Sequence, residues 1–230
     1  MRIAVIPARG GSKRIPRKNI RPFAGRPMIA HSIAAALAAD CFDRVVVSTD
    51  DAEVADVARQ HGAEIPFLRP ATLADDHTGT TEVIQHAVRA LAADGPFSHV
   101  CCIYATAPFL TPDVLRAGLD ALTGSGKSYA FSVAAFPSPI QRALRIRPDG
   151  AVEPIWPEHR LVRSQDLEPA YHDAGQFYWG TAEAWESAAP IHSPLSVPVV
   201  LPAHRVQDID TPEDWVRAEY LYAALQQAGA

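Results

Sequence analysis

Short apolar runs at 3–6, 45–47 and 100–104 are rich in Ile, Val and other strand-forming residues and are too brief to be helices. Between them, helix-like stretches cover 27–39, 52–60, 80–92 and 112–122. Continuous apolar strands separated by helices predict a largely parallel sheet covered on both faces, because only a buried strand is apolar on both sides. Asp50 and Thr111 stand where N-caps are expected, and Pro112 follows Thr111 at a first helical position, where its missing N–H costs nothing. The opening Met1-Arg2-Ile3-Ala4-Val5-Ile6 runs straight into Pro7 and reads as a first core strand rather than a leader.

The second half has a different texture. From 131 to 168 prolines crowd in at 137, 139, 148, 154 and 157, with polar and basic residues around them. Asp149-Gly150 between Arg145-Ile146-Arg147 and Ala151-Val152 signals a hairpin. The stretch holds no second core and is expected to be an arm, about 131–168, within one domain spanning 1–230. Strand character returns at 176–179. The pattern closes in a helix over 212–225, opened by Thr211-Pro212-Glu213-Asp214, an N-cap with an acid three residues on.

Composition narrows the class. With 230 residues, 48% of them hydrophobic and 20% charged, the chain suits one soluble globular domain. A net charge of −5 argues against a nucleic-acid partner, since phosphate neutralisation needs clustered Lys and Arg. No apolar run approaches the roughly 18 residues that span a bilayer, so no membrane role is expected. Cys41, Cys101 and Cys102 fit neither a disulfide framework nor a zinc site, and the histidines form no HxxxH pair. A reduced, cytoplasmic protein without structural metal is the expectation.

One segment departs from the acidic average. Arg9-Gly10-Gly11-Ser12-Lys13-Arg14-Ile15-Pro16-Arg17-Lys18-Asn19 follows the first strand and carries five cations in ten residues. Two glycines let the backbone turn tightly and bring N–H groups to an anion. A loop at the carboxyl end of a parallel strand lies where open α/β folds bind ligands. The chemistry suits a polyphosphate held by backbone donors and fixed positive charge. The loop is not a P-loop, because Lys13 follows Ser12 rather than a glycine. Gly124-Ser125-Gly126-Lys127-Ser128 contains GKS, but Ala121 replaces the required first glycine, and the segment reads as a helix C-cap and turn.

The loop resembles the signature of the CMP-sialic acid synthetases, cytidylyltransferases that activate nine-carbon acidic sugars. The similarity extends through Val47-Ser48-Thr49-Asp50-Asp51, Leu68-Arg69-Pro70 with Leu73-Ala74-Asp75-Asp76, and Gln207-Asp208-Ile209-Asp210-Thr211-Pro212-Glu213-Asp214. Two stretches depart from it. Tyr104-Ala105-Thr106-Ala107-Pro108-Phe109 replaces a glutamine-bearing motif, and Asp173-Ala174-Gly175-Gln176-Phe177-Tyr178-Trp179-Gly180 replaces an asparagine-glycine motif. Both variants look like the branch that acts on pseudaminic acid, a 5,7-diamino nonulosonate. The resemblance implies a Rossmann-like three-layer α/β/α nucleotidyltransferase with a mostly parallel central sheet, a small Pro-rich dimerisation arm and a homodimer. It implies transfer of CMP from CTP to the anomeric hydroxyl of a nonulosonic acid, with release of pyrophosphate. The same reaction on N-acetylneuraminic or legionaminic acid, and a non-catalytic CTP-binding module, stand as alternatives.

By this resemblance Arg9, Ser12, Lys13 and Asn19 hold the nucleotide and Lys18 lies near the reacting phosphate. Arg69 resembles a nucleotide-contacting arginine, against a salt bridge to Asp75 or Asp76. Asp208 and Asp210 sit at i and i+2, so an extended backbone turns both carboxylates to one face, where they can share Mg²⁺. Asp210 is also a candidate for lowering the pKa of the attacking hydroxyl. For the sugar, Arg163 and Gln165 lie in a stretch too polar for a core, and a guanidinium suits a carboxylate. Tyr171 offers an amphipathic wall. Tyr104, Asp173 and Gln176 fall in the two variant stretches and complete the candidate sugar set.

Overall fold

A computed structural model describes residues 1–229. The chain begins with β1 (Arg2–Pro7), followed by the two-residue strands β2 (Pro22–Phe23) and β3 (Arg26–Pro27) and by α1 (Met28–Ala38). Then come β4 (Arg44–Ser48), α2 (Ala52–Gln60), α3 (Thr80–Ala90), β5 (His99–Ile103) and α4 (Pro112–Ser125). The second half adds β6 (Tyr129–Ala135), the hairpin strands β7 (Leu144–Ile146) and β8 (Val152–Pro154), β9 (Tyr171–Thr181), α5 (Ala182–Glu186), β10 (Ser196–Val200) and α6 (Pro212–Gln227).

The main sheet runs β10-β6-β9-β5-β1-β4. β1 pairs parallel with β4 and β5, β10 pairs parallel with β6, and β9 alone runs antiparallel to both of its neighbours. Alternate side chains feed two cores. Ile6, Val47, Ile103, Phe177 and Trp179 pack with Ile29, Ile33, Leu115 and Leu119 of α1 and α4. Ile3, Val5, Val46, Val100 and Tyr178 pack on the other face with Ile84 and Val88 of α3 and Trp185 of α5. The result is the expected α/β/α layering with a mostly parallel sheet. Each buried Ile, Val or Phe contributes roughly 1.5–3 kcal/mol of transfer free energy. Cys101 and Cys102, adjacent on β5, therefore enter opposite cores and cannot meet, and burial pushes both thiols up.

Two details differ from the sequence reading, the start of the arm and the cap of α2, while the expected hairpin forms. Residues 131–135 belong to β6, between β10 and β9 in the main sheet, so the proline-rich excursion starts after Ala135 and 131–135 are strand, not arm. The hairpin turn falls at 147–151, with Gly150 at φ +84°, and its strands β7 and β8 stay largely exposed. The N-cap of α2 is Asp51, which accepts the Val54 N–H at 2.9 Å; Asp50 turns instead to the glycine loop. The capping box at Thr211 and Asp214 forms, and Gly126 closes α4 in the left-handed conformation at φ +65°.

A third cluster positions the functional edge. Ile15 from the glycine loop, Phe23, Met28, Phe109, Ile209 and Trp215 pack together. Burying Ile15 and Ile209 in one cluster brings the basic loop against the acidic 207–214 segment. His31 lies beside this cluster, 3% exposed. Arg26 donates to its Nδ1 from Nε (3.2 Å) and Nη2 (3.0 Å), so Nε2 carries the proton and donates to the Phe23 carbonyl at 3.0 Å. Burial lowers its pKa from 6.5 to about 4. A folded-state pKa below the unfolded value means that stability is full above pH 6.5 and is lost as pH falls from there towards 4. The loss should reach about 3 kcal/mol. Urea titrations across that range should show it in the wild type, and His31→Gln should flatten the slope.

Candidate active site

The glycine loop leaves β1 at Pro7 and returns at Asn19, which is 8% exposed and donates from Nδ2 to the Arg9 carbonyl at 2.9 Å. The loop is thus closed on itself by a side chain. Gly10 donates its N–H to Asp50 Oδ1 at 3.0 Å, and a Cβ there would stand 2.5 Å from Asp51 Oδ2. Only glycine lets the chain pass this close to the end of β4.

Beneath the loop is a cavity of about 280 Å³ at the carboxyl edge of β1 and β5. Arg9, Ser12, Lys13, Arg14, Lys18, Asn19, Arg69, Tyr104 and Asp210 line it. Of the five loop cations, four reach this cavity. Arg17, at φ +56°, turns away and clamps Asp51 (2.6 and 3.1 Å) and Glu53, holding the start of α2. The Arg17 guanidinium keeps the Asp51 carboxyl below its ordinary range.

The other cations meet carboxylates across the cavity. Lys18 Nζ donates to the Ile209 carbonyl at 2.7 Å and lies 3.3 Å from Asp210 Oδ1; Arg14 reaches Asp210 Oδ2 at 2.9 Å. Arg9 Nη1 lies 2.8 Å from Asp76, and Lys13 bonds the same carboxylate. Lys13 holds the Asp76 carboxyl below its usual range. These basic groups can therefore exchange carboxylate partners for phosphate oxygens without a new charge being buried. Asp208 is exposed and, unlike Asp210, does not line the cavity, though its carboxyl is partly desolvated. That desolvation, then the charge of Asp210, raises its pKa.

Arg69 is 6% exposed and does not pair with Asp75 or Asp76. Its Nε donates to Ser48 Oγ at 3.1 Å, and its Nη2 to the Ser48 carbonyl. Burial without a carboxylate partner lowers its pKa from the ordinary arginine value. It ties the end of β4 to the 69–73 segment while lining the cavity.

The sugar candidates separate. Tyr104 is on the cavity wall. Asp173 and Gln176 are not: Asp173 accepts from the Tyr178 hydroxyl, and the buried Gln176 donates to the Arg205 carbonyl at 2.5 Å. Gly175 takes φ +60°, and Gln176 and Phe177 after it are both buried, as expected of a strand covered on both faces. Arg163 and Gln165 are exposed on the arm, where Arg163 pairs with Asp166 at 2.7 Å, and Tyr171 is exposed at the start of β9. Thr78, Thr80 and Val83 line the cavity and were missed. The only sequence signal for them is that they follow Asp76 directly into a helix N-terminus.

The family model described as "Cytidylyltransferase" matches residues 3–187. A pseudaminic acid cytidylyltransferase from Campylobacter jejuni is 45% identical over 221 residues, covering 96% of this chain and 95% of that one. A CMP-N,N'-diacetyllegionaminic acid synthase from Legionella pneumophila is 38% identical, covering 98% of each. The solved structure of a CMP:2-keto-3-deoxy-manno-octonic acid synthetase complexed with CTP shares the fold, with a TM-score of 0.69 at 19% identity over 97% of this chain and 98% of that one. A basic glycine loop set against an acidic pair on this sheet edge, together with these matches over nearly the whole length, places the chain in the cytidylyltransferase family.

Proposed function

We propose that this protein is a pseudaminic acid cytidylyltransferase, joining CMP from CTP to the anomeric hydroxyl of pseudaminic acid and releasing pyrophosphate. The full-length 45% identity to an enzyme of that name carries the reading. The cavity chemistry agrees with it. Arg9, Ser12 and Lys13 supply donors and charge for a triphosphate, with Asn19 holding the loop's shape and Arg69 the facing segment. The sugar hydroxyl attacks the α-phosphorus, the bond to pyrophosphate breaks, and the hydroxyl proton passes to a base, the role proposed for Asp210. Lys18, pinned between the Ile209 carbonyl and Asp210, stands ready to neutralise charge that develops on the phosphoryl oxygens.

Asp208 and Asp210 are the residues that would hold Mg²⁺. Their donor chemistry fits: desolvation, and then the neighbouring charge of Asp210, raises the pKa of Asp208, and a hard cation would relieve both. Among the described residues no group of three or more His, Cys, Asp or Glu is arranged to hold a metal, which suits an ion that takes its remaining ligands from phosphate and water. When bound, such an ion supplies charge neutralisation at the phosphates.

A homodimer is part of the same reading. Leu144, Ile146, Val152 and Leu161 are 60–86% exposed on an arm without a core of its own, and an apolar surface of this kind is most simply covered by a second copy. Arg163, Gln165 and Tyr171 would then serve the sugar from that copy. A cytoplasmic location accords with three unpaired, buried cysteines. No described helix is long and apolar enough to cross a membrane.

The test is pyrophosphate release from CTP and Mg²⁺ with pseudaminic, legionaminic and N-acetylneuraminic acids in parallel. Turnover with pseudaminic acid in preference to both others is the expected result. Preference for another nonulosonate would overturn the sugar assignment, and CTP binding without turnover on any would overturn the enzyme.

A further inference from the structure

A second cavity, of about 260 Å³, plays no part in the reaction just described. It shares no lining residue with the first. The apolar cluster at the functional edge stands between them: its Ile15 lines the first cavity, and its Phe109 and Leu225 line the second. The walls come from α1, from the connection that opens α4, and from α6. Phe109, Leu110, Tyr222 and Leu225 supply apolar surface. The charged groups on the walls are all of one sign: Arg26 and Arg205 line the cavity, and no Asp or Glu does.

Three sources of donors converge there. Arg26 directs Nε and Nη2 to His31 Nδ1 (3.2 and 3.0 Å), which leaves Nη1 without a hydrogen bond among the described residues. His31 has no capacity left for a ligand, since its Nε2 is engaged by the Phe23 carbonyl, and its role at the cavity is to hold the guanidinium. The Arg205 side chain makes no hydrogen bond or ion pair with any described residue, while its backbone carbonyl is pinned by Gln176. The third source is the start of α4, a helix of 14 residues. Its N-cap Thr111 makes no side-chain capping bond and lines the cavity with Pro112. The first-turn N–H groups beyond them have no partner within the helix, and the dipole places partial positive charge at this end.

We propose that the second cavity is a binding site for a small organic anion, with a carboxylate or phosphate head between Arg26, Arg205 and the start of α4. Its compact apolar body would lie against Phe109, Tyr222 and Leu225. The guanidinium fork matches the oxygens of either head, and no carboxylate on the walls competes for it. A cation is repelled by this lining, and a neutral molecule leaves the charged donors without a matching acceptor. The volume lies below the roughly 300–1,000 Å³ of drug-sized sites, which selects a body about one ring in size over a nucleotide.

The test is isothermal titration of the protein in the presence of excess CTP, which occupies the first cavity. The probes are phenyl phosphate, benzoate and the neutral benzyl alcohol. At least one anion should bind with Kd below about 1 mM, and the alcohol about tenfold or more weaker. The tighter of the two anions identifies the head. Arg205→Gln removes a charge without removing a side-chain hydrogen bond, and should weaken the anion by about tenfold or more. Ala34→Leu fills the cavity from α1 without changing its charge, and should weaken the same anion as well. Both variants should leave Kd for CTP within about twofold of the wild type, since neither residue touches the first cavity. Absence of anion binding, or an alcohol that binds as tightly, overturns the proposal. Anion binding that survives either substitution unchanged lies elsewhere on the protein and overturns it too.

Discussion

Asp210→Ala is expected to lower kcat for pyrophosphate release by about 10²–10³-fold, with KM for CTP unchanged or slightly reduced. The split follows from the ion pairs. In the ligand-free cavity Asp210 holds Arg14 at 2.9 Å and Lys18 at 3.3 Å, one on each carboxylate oxygen. Removing it frees two cations that a triphosphate can recruit, so nucleotide binding does not suffer. Lys18 keeps its bond to the Ile209 carbonyl, so its position survives the change. What disappears is the carboxylate that would take the proton and share the metal. Asp210 is partly exposed, and ion pairs in such a setting contribute up to about 1 kcal/mol each, so the variant should fold. Steady-state kinetics with CTP and sugar varied separately gives both constants. A fall in kcat of less than tenfold would remove Asp210 from the reaction, and a large rise in KM for CTP would make it a nucleotide ligand instead.

The largest stability effect belongs to a glycine well away from the cavity. Gly180→Ala should destabilise the fold by roughly 3 kcal/mol. A Cβ at 180 would stand 2.5 Å from Trp185 Nε1 and 2.6–2.7 Å from the Tyr129 ring. Neither neighbour can retreat. Trp185 donates to the Val100 carbonyl at 3.0 Å, Tyr129 donates to the Ala184 carbonyl at 2.9 Å, and both side chains are fully buried. For a chain of this length the melting temperature should drop by about 6–12 °C. Gly124→Ala is the matched control: it lies inside α4 with nothing within 4 Å of the added methyl, and the gain in helix propensity should stabilise by about 0.5–1 kcal/mol. Equal melting temperatures for Gly180→Ala and the wild type would show that β9 and α5 can shift apart, contrary to their packing.

The legible parts of this protein are those whose signal is periodic or local. The runs at 3–6, 45–47 and 100–104 all became strands of the sheet, and the four helices of the first half formed within a few residues of their expected bounds. Local chemistry was equally readable at Thr211 with Asp214, and at Gly126, where the cap closes within a few residues. The density of cations in 9–18 marked the loop that became the cavity rim. The strand β6 was less legible, because it runs directly into the prolines that follow and its alternation is short. The strand β10 was missed altogether: Pro198 sits in its middle, tolerable there because β10 is the edge of the sheet.

Sequence alone determined the residue types at this edge: a glycine-bearing, cationic turn after a buried strand, and two carboxylates two residues apart. Only the tertiary structure decided which of those groups meet. Lys18 finds Asp210 across 192 residues, Arg9 and Lys13 find Asp76, and Arg17, with the same charge as its neighbours, turns out of the cavity to hold α2. The same is true of Asp173, expected among the sugar ligands, which instead accepts from the Tyr178 hydroxyl away from the cavity wall. The physical reason is that periodicity and capping depend on neighbours a few residues away. Side-chain pairing across a sheet edge depends instead on strand order and register, including the shift between β6 and β9 at Phe131 and Val133, which the whole packed fold sets together.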